Sequence, residues 1–205
     1  MRTILLIFLF LLTITACNKP TKKLAGRIDI ELVVYHDPLN NMYNVSVIPI
    51  STMFFKNQNV IEYLINDSTE SFIHIHDNKY YFSNMLDDLL VTKPNQPVSE
   101  KNVGVRFIND HINGYENRQI LTDTSFNGYN YKRIAIADSA SYSVFYVHQT
   151  DTILPFSLGS QMDKEYTGIL NRVDVFNKIN NTFSSLRMSV NDTIPNKIYN
   201  VLKKL

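Results

Sequence analysis

Few residues in this chain are placed to do chemistry. There is one cysteine, Cys17, and there are five histidines. Cys17 follows an apolar run, Thr3 to Leu12, behind the short basic start Met1-Arg2. A thiolate is a nucleophile and a point of covalent attachment, and an unpaired cysteine in an exported chain needs its own explanation. His74-Ile75-His76-Asp77 is the best metal candidate. On a strand, alternate residues share a face, so His74 and His76 point the same way, with Asp77 at the turn. Zinc would need further ligands from His36, His111 or His148, and the spacing selects none of them. Two histidines on a solvent-facing strand are the commoner arrangement, and the sequence assigns no metal site. No Gly-x-Ser-x-Gly elbow occurs, Gly159-Ser160-Gln161 being the nearest approach. No phosphate loop or dinucleotide fingerprint is present. Asp37, Asp87 and Asp88 have no partner visible in the sequence. The reading is therefore of no enzyme and no cofactor.

The surroundings of Cys17 are more informative. An apolar run of this length is too short to cross a bilayer comfortably and suits a cleaved leader. Ile14-Thr15-Ala16-Cys17 resembles the bacterial lipobox: a branched apolar residue, a small or β-branched one, a small one, then cysteine. The resemblance implies a diacylglyceryl thioether on Cys17, cleavage between Ala16 and Cys17, and acylation, palmitate-like, of the new amino terminus. Several acyl chains anchor stably, whereas one binds only marginally. The expected organisation is a signal peptide at 1–16, a lipidated cysteine and tether at 17–26, and one β-rich domain at 27–205. Asn18 in place of Asp after the cysteine favours the outer membrane, facing the periplasm.

Composition bounds the rest. Hydrophobic residues make up 44% of the 205 residues, enough to build a core. Tyr and Phe number 12 each, with no Trp, a bias that suits strands. The chain carries 20 basic and 19 acidic residues, so loss of Arg2 with the leader leaves the mature chain neutral. Nucleic-acid binding usually needs a basic face; the one basic cluster, Lys19, Lys22 and Lys23, lies in the tether. Near a surface it offers weak attraction to anionic headgroups.

Elements able to position a site follow from periodicity. Ile28, Ile30, Leu32 and Val34 alternate with Arg27, Asp29 and Glu31, which predicts a half-buried strand. A turn at Asn40-Asn41 leads to a returning strand over 42–50, broken near Pro49. Short strands are expected over 60–65, 71–76, 79–82, 103–108, 118–122, 129–137 and 142–148, with a closing hairpin of 173–179 and 182–190. Helices are expected over 84–91 and 161–170, and 92–102 reads as a loop. Ile194, Ile198, Val201, Leu202 and Leu205 share one helical face. That predicts an amphipathic C-terminal helix capped by Asp192 or Thr193, with Pro195 in its first turn. The fold class is α+β: a curved, mainly antiparallel sheet with a few covering helices.

From Thr122-Asp123-Thr124-Ser125-Phe126 through Gly128-Tyr129-Asn130-Tyr131-Lys132-Arg133 the sequence resembles a motif of Bacteroidota envelope proteins of the GLPGLI type. Val144-Phe145-Tyr146-Val147, Asp151-Thr152-Ile153-Leu154-Pro155 and Tyr166-Thr167-Gly168-Ile169-Leu170 look like the later family segments. Tyr131 stands where the family has cysteine, and its Leu-Pro-Gly core is reduced to Gly168-Ile169-Leu170. The resemblance implies a half-barrel like that of the Lol-type lipoprotein carriers, which hold acyl chains on the concave face. Gly128-Tyr129 reads equally as a turn glycine and a core ring. The expected function is a lipid-anchored envelope protein binding an apolar ligand or lipidated client. The alternative is an accessory lipoprotein of an envelope complex with no small ligand. Ser68, Ser139, Thr152 and Thr193, each after an Asp, resemble O-glycosylation signals of Bacteroidota envelope proteins, and equally fit turn and cap chemistry.

Overall fold

A computed structural model of the chain describes residues 21–37, 41–66, 69–105, 112–126 and 128–205. Alternating apolar side chains do what period two demands and lay down one long sheet. Its strands are β2 (Ala25–Asp37), β3 (Asn41–Lys56), β4 (Asn59–Asn66), β5 (Thr69–His76), β6 (Lys79–Ser83), β7 (Gln96–Pro97), β8 (Gln119–Phe126), β9 (Tyr129–Ala137), β10 (Ser141–Gln149), β12 (Gly168–Asn177) and β13 (Thr182–Asn191). The order across this eleven-stranded sheet is β7-β6-β5-β4-β3-β2-β13-β12-β10-β9-β8, and every pairing is antiparallel. The sheet is curved and open, not a closed barrel. Its β7 edge is two residues long and contains Pro97, which leaves little ladder for another chain to join. Two further strands, β1 (Thr21–Lys22) and β11 (Thr152–Ile153), form a separate parallel pair.

Register aligns the side chains into rows. Ile134, Phe145, Val173, Leu186 and Leu32 stand opposite one another across β9, β10, β12, β13 and β2. This inner face is covered by chain rather than by a second sheet. Phe156, Leu154, Leu158, Val98 and Val105 pack on Ile28, Ile30, Met53, Phe55, Ile73 and Met188. Tyr115 and Met162, the latter on helix α1 (Ser160–Glu165), cover Ile134, Val147 and Leu170. Arg118 fastens these two covering pieces. It donates to Glu165 at 2.5 Å and to the Tyr166 hydroxyl at 3.0 Å, and Tyr115 also donates to Glu165. Those bonds, led by that from Tyr115, hold the Glu165 carboxyl below its usual range.

The opposite, outer face differs between the two ends of the sheet. Over β3, β4 and β5 it is apolar, and helix α2 (Asn196–Lys204) seats Ile198, Val201 and Leu202 on Phe54, Ile61 and Phe72. Over β9, β10, β12 and β13 no helix among the described residues covers it. There the row is Arg133, Tyr146, Arg172, Arg187 and Glu31, as a wetted sheet face requires.

Several boundaries depart from the sequence reading. Strand β1 (Thr21–Lys22) and the start of β2 at Ala25 fall inside the stretch read as a tether. Residues 84–91 form only a 3-10 turn at Leu86–Leu90. Helix α1 stops at Glu165, where Thr167 takes a positive φ of 48° and β12 begins at Gly168. Residues 103–105 are not strand, and 106–108 lie outside the described residues. Neither Asp192 nor Thr193 caps α2: Pro195 is its N-cap and makes no side-chain bond. Asp192 instead pairs with Lys23 at 2.7 Å.

Candidate ligand-binding cleft

The ladder between β12 and β13 ends at Arg172–Arg187. Beyond it the two strands part. β13 stays with β2 as far as Asn191–Arg27, while β12 stays with β10 as far as Gly168–Gln149. The cause is local. Tyr146 faces Arg172 but Val147 faces Leu170, so Asn171 is the extra residue of a β-bulge. A bulge bends and twists its strand, here away from β13. Gly168 permits the approach on the other side: a Cβ there would lie 2.3 Å from the His148 carbonyl oxygen.

The parting leaves a cleft of about 660 Å³, within the range of ligand sites, about 300–1,000 Å³. Its floor is the margin of the main core: buried Ile169 and Met188 with half-buried Leu154 and Val190. One wall is aromatic. Phe126 and Tyr131 stack with centroids 4.0 Å apart and planes 4° from parallel, and Tyr129 meets the His148 ring edge-on at 4.8 Å. Burial lowers the His148 pKa from its ordinary value. The rim is polar: Glu31, Asn171, Arg172, Arg187 and, from the segment beside β1, Lys23.

Charges on this rim are largely answered within the protein. Arg172 grips Asp174 through Nε and Nη2, both at 2.8 Å, and lies over the Tyr146 ring at 4.9 Å. Lys23 is paired with Asp192. Arg187 donates to the Ser185 hydroxyl at 3.1 Å and the Tyr35 hydroxyl at 3.0 Å, and Glu31 sits opposite it on β2. Some hydrogen-bonding capacity is left over. Asn171 gives only a 3.5 Å contact to the Tyr131 hydroxyl through Nδ2, and its buried Oδ1 accepts from nothing among the described residues.

The sequence singled out other positions. Cys17, Ala16, Ser68 and His111 lie outside the described residues. His74 and His76 do share a face, with ring centroids 6.4 Å apart. That face is not solvent: His74 is 4% exposed, buried on the α2 side of the sheet. It contacts Asn59 Oδ1 through Nε2 at 2.9 Å. Burial, then the neighbouring His76, pushes its pKa down to about 4. His76 pairs with Asp77 at 3.2 Å, and His36 with the Ser46 hydroxyl at 2.7 Å. Among the described residues no three His, Cys, Asp or Glu side chains gather to hold a metal. His148 belongs to the cleft instead, and so does Thr152, whose hydroxyl accepts from Thr150. Ser139 is exposed in the β9–β10 turn, where Asp138 receives the Ala140 and Ser141 amides at 2.7 and 2.6 Å. Thr193 is exposed, its amide donating to Asn191.

Sequence reasoning missed Glu31, Asn171, Arg172 and Arg187. Glu31 was legible only as the polar phase of a strand. Asn171 becomes distinctive only through a bulge, which a single sequence does not announce. Gly128 does take a positive φ, 78°, but Tyr129, read as a core ring, is 53% exposed, and the buried ring beside it is Tyr131.

Comparison with known proteins adds little. No protein-family model and no curated protein matches the chain. Seven chains of solved structures match. One is a structure of PNGF-II in a C2 space group, with 10% identity and a TM-score of 0.31. The match takes in 88% of this chain but only 30% of that one.

Proposed function

We propose that this chain is a lipid-anchored cell-envelope protein, held by Cys17 at the outer membrane facing the periplasm, that binds a small ligand in the β12–β13 cleft. The cleft itself carries the reading: a preformed concavity whose floor is apolar and whose rim has unspent polar groups. Its mixed lining favours a ligand with an apolar face and a polar edge over a wholly apolar one. Binding is favoured over turnover because Glu31 is the one carboxylate among the lining residues.

The anchor and the cleft are close along the chain. Four residue steps separate Cys17 from Thr21, a reach of at most about 14 Å, and Lys23 already lines the cleft. Lys23 is fixed there by its backbone N–H, which donates to the Ile153 carbonyl at 3.2 Å, as well as by Asp192. Detergent-phase partitioning with mass spectrometry of the N-terminal peptide tests the anchor. Wild type should enter the detergent phase with an acylated Cys17, and Cys17→Ser should not. An unmodified thiol, or cleavage elsewhere, overturns it. Native mass spectrometry of the extracted protein tests the ligand, and a cleft that never retains or accepts a small molecule defeats the binding reading.

One observation favours the alternative, an accessory lipoprotein of an envelope complex. Among the described residues β4 pairs with β3 over Thr52–Lys56, and none pairs with the earlier part of β3 on that side, which carries exposed Val45, Val47, Ile48 and Ile50. Pro49 within it interrupts the donors a joining strand would use. Crosslinking in cells distinguishes the two: a partner captured through positions 45–48 supports the accessory role.

A further inference from the structure

Resting on the binding reading above, we propose that the cleft is a saccharide site, in which a sugar ring stacks on Tyr129 and its hydroxyls are read by Glu31, Asn171 and Arg187. Three features of the lining select this class. The first is the wall. Tyr129 is 53% exposed at the cleft. The face of an aromatic ring is negative and attracts the slightly positive C–H face of a pyranose. His148 backs Tyr129 edge-on, so the ring is held before a ligand arrives. Preorganisation of this kind lowers the cost of binding.

The second feature is the balance of charge. An anionic ligand would want an unanswered cation, but Arg172 is forked onto Asp174 and Lys23 onto Asp192. Arg187 has no carboxylate within ion-pair distance among the described residues, yet Glu31 faces it across the ladder. The two together present an acceptor and a donor side by side with no net charge. A hydroxyl both donates and accepts, so vicinal hydroxyls satisfy such a pair; a carboxylate or phosphate would be repelled by Glu31.

The third feature is the orphan. Asn171 Oδ1 is buried with no donor among the described residues, and an unmade bond at a buried acceptor is costly, about 1–3 kcal/mol. The residue lines the cleft, and a ligand O–H or N–H supplies what the protein does not. A fatty acyl chain offers no such donor and would leave the rim unsatisfied.

The chemistry has two sources, a free oligosaccharide and the carbohydrate headgroup of a membrane glycolipid, and the experiment separates them. Full-length lipoprotein in lauryldimethylamine oxide, a sugar-free detergent, is screened by saturation-transfer NMR. The probes are short gluco-, galacto-, manno- and N-acetylglucosamine-configured oligosaccharides at about 10 mM, enough to saturate a Kd of about 1 mM. A rough-type lipooligosaccharide in nanodiscs and its delipidated core oligosaccharide form the second arm, and oleate is the acyl control. At least one glycan should bind, with Kd raised about tenfold or more, a loss of about 1.4 kcal/mol, by Tyr129→Ala and by Glu31→Gln. Ile179→Ala, at the exposed tip of the β12–β13 hairpin, should leave it unchanged. Equal affinity for lipid-bearing and delipidated glycan identifies a soluble saccharide; about tenfold tighter binding of the lipid-bearing form identifies the headgroup. Silence from every glycan, or glycan binding indifferent to both cleft variants, overturns the proposal. If oleate alone binds, the saccharide site fails while the binding reading survives. If glycan binds protein whose Cys17 is unmodified, only the anchor fails.

Discussion

Lys101→Met should be among the most damaging single substitutions in this protein. Lys101 and Glu62 form an ion pair at 2.6 Å whose two side chains are both 0% exposed. Glu62 stands on the inner face of β4, between Met53 and Ile73 in register. Its Oε1 accepts from the Ser51 hydroxyl at 2.8 Å and the Val105 amide at 2.6 Å, and Lys101 also donates to the Val105 carbonyl. The pair thus pins the 101–105 loop over the core, and Gly104, at φ 67°, is the residue that lets the loop touch the carboxylate. Burial lowers the Lys101 pKa, with Glu62 opposing the shift. Taking away the cation leaves a buried carboxylate with two neutral donors, and breaking such a pair costs about 3–5 kcal/mol. Glu62→Gln keeps an acceptor for Ser51 and Val105 and leaves an amine that burial already favours as neutral, so its cost should be smaller. Glu62→Leu with Lys101→Met removes both charges and should recover most of the loss. Urea unfolding, followed by far-UV circular dichroism because the chain has no Trp, gives each free energy and the coupling. A Lys101→Met cost under about 1 kcal/mol, or a cycle with no coupling, would refute the reasoning.

Three further outcomes follow from packing and titration. His74 has a folded pKa of about 4 against 6.5 when unfolded. Its contribution is full above pH 6.5 and is lost as pH falls toward 4, by up to about 3 kcal/mol at 1.36 kcal/mol per unit. Urea midpoints should fall over that window in wild type and less steeply in His74→Gln; parallel curves would exclude His74 as the cause. Gly168→Ala forces a Cβ to 2.3 Å from the His148 carbonyl oxygen and 2.8 Å from Val147 Cγ1. It should cost about 1–3 kcal/mol and shift the His148 imidazole resonances, and a neutral effect on both would be inconsistent with this approach. Leu202→Ala, at a position 3% exposed, should cost about 2–5 kcal/mol. Hydrogen exchange should then quicken in α2 before β12, and unchanged stability would mean that α2 does not hold the sheet.

How far the sequence could be read divides along physical lines. Alternation in Arg27 to Val34 and the five-residue apolar face of the C-terminal helix are local signals, and both mark elements that form. Element type survives where the period is long and unbroken. It fails at 161–170, because a helical period says nothing of Thr167 entering the left-handed region and ending the helix. The covering of each face is not local at all. His74 reads as a surface residue in a strand of alternating polarity; it is buried because α2, more than 120 positions later, lies on that side of the sheet. Glu62 and Lys101 each look like solvated charges, and only the return of the chain over the inner face makes them a pair. The cleft is the hardest case, since its walls come from strands scattered from 31 to 190.

One inserted residue explains why that cleft exists at all. Without the bulge at Asn171, β12 would continue opposite β13 past Arg172–Arg187, and Met188 and Val190 would be covered by ladder. Deleting Asn171 would set Leu170 directly beside Arg172 and keep both β10 partners, Tyr146 opposite Arg172 and Val147 opposite Leu170. Leu170, 1% exposed against Tyr115 and Met162, would stay on the inner face, so the β12–β10 register does not require the extra residue. A buried amide with an unused acceptor at the hinge of that opening is a cost that a merely structural bulge need not carry. A small residue at 171 would bend the strand equally well, which is the physical reason to look for the function of this protein at Asn171 before anywhere else on its surface.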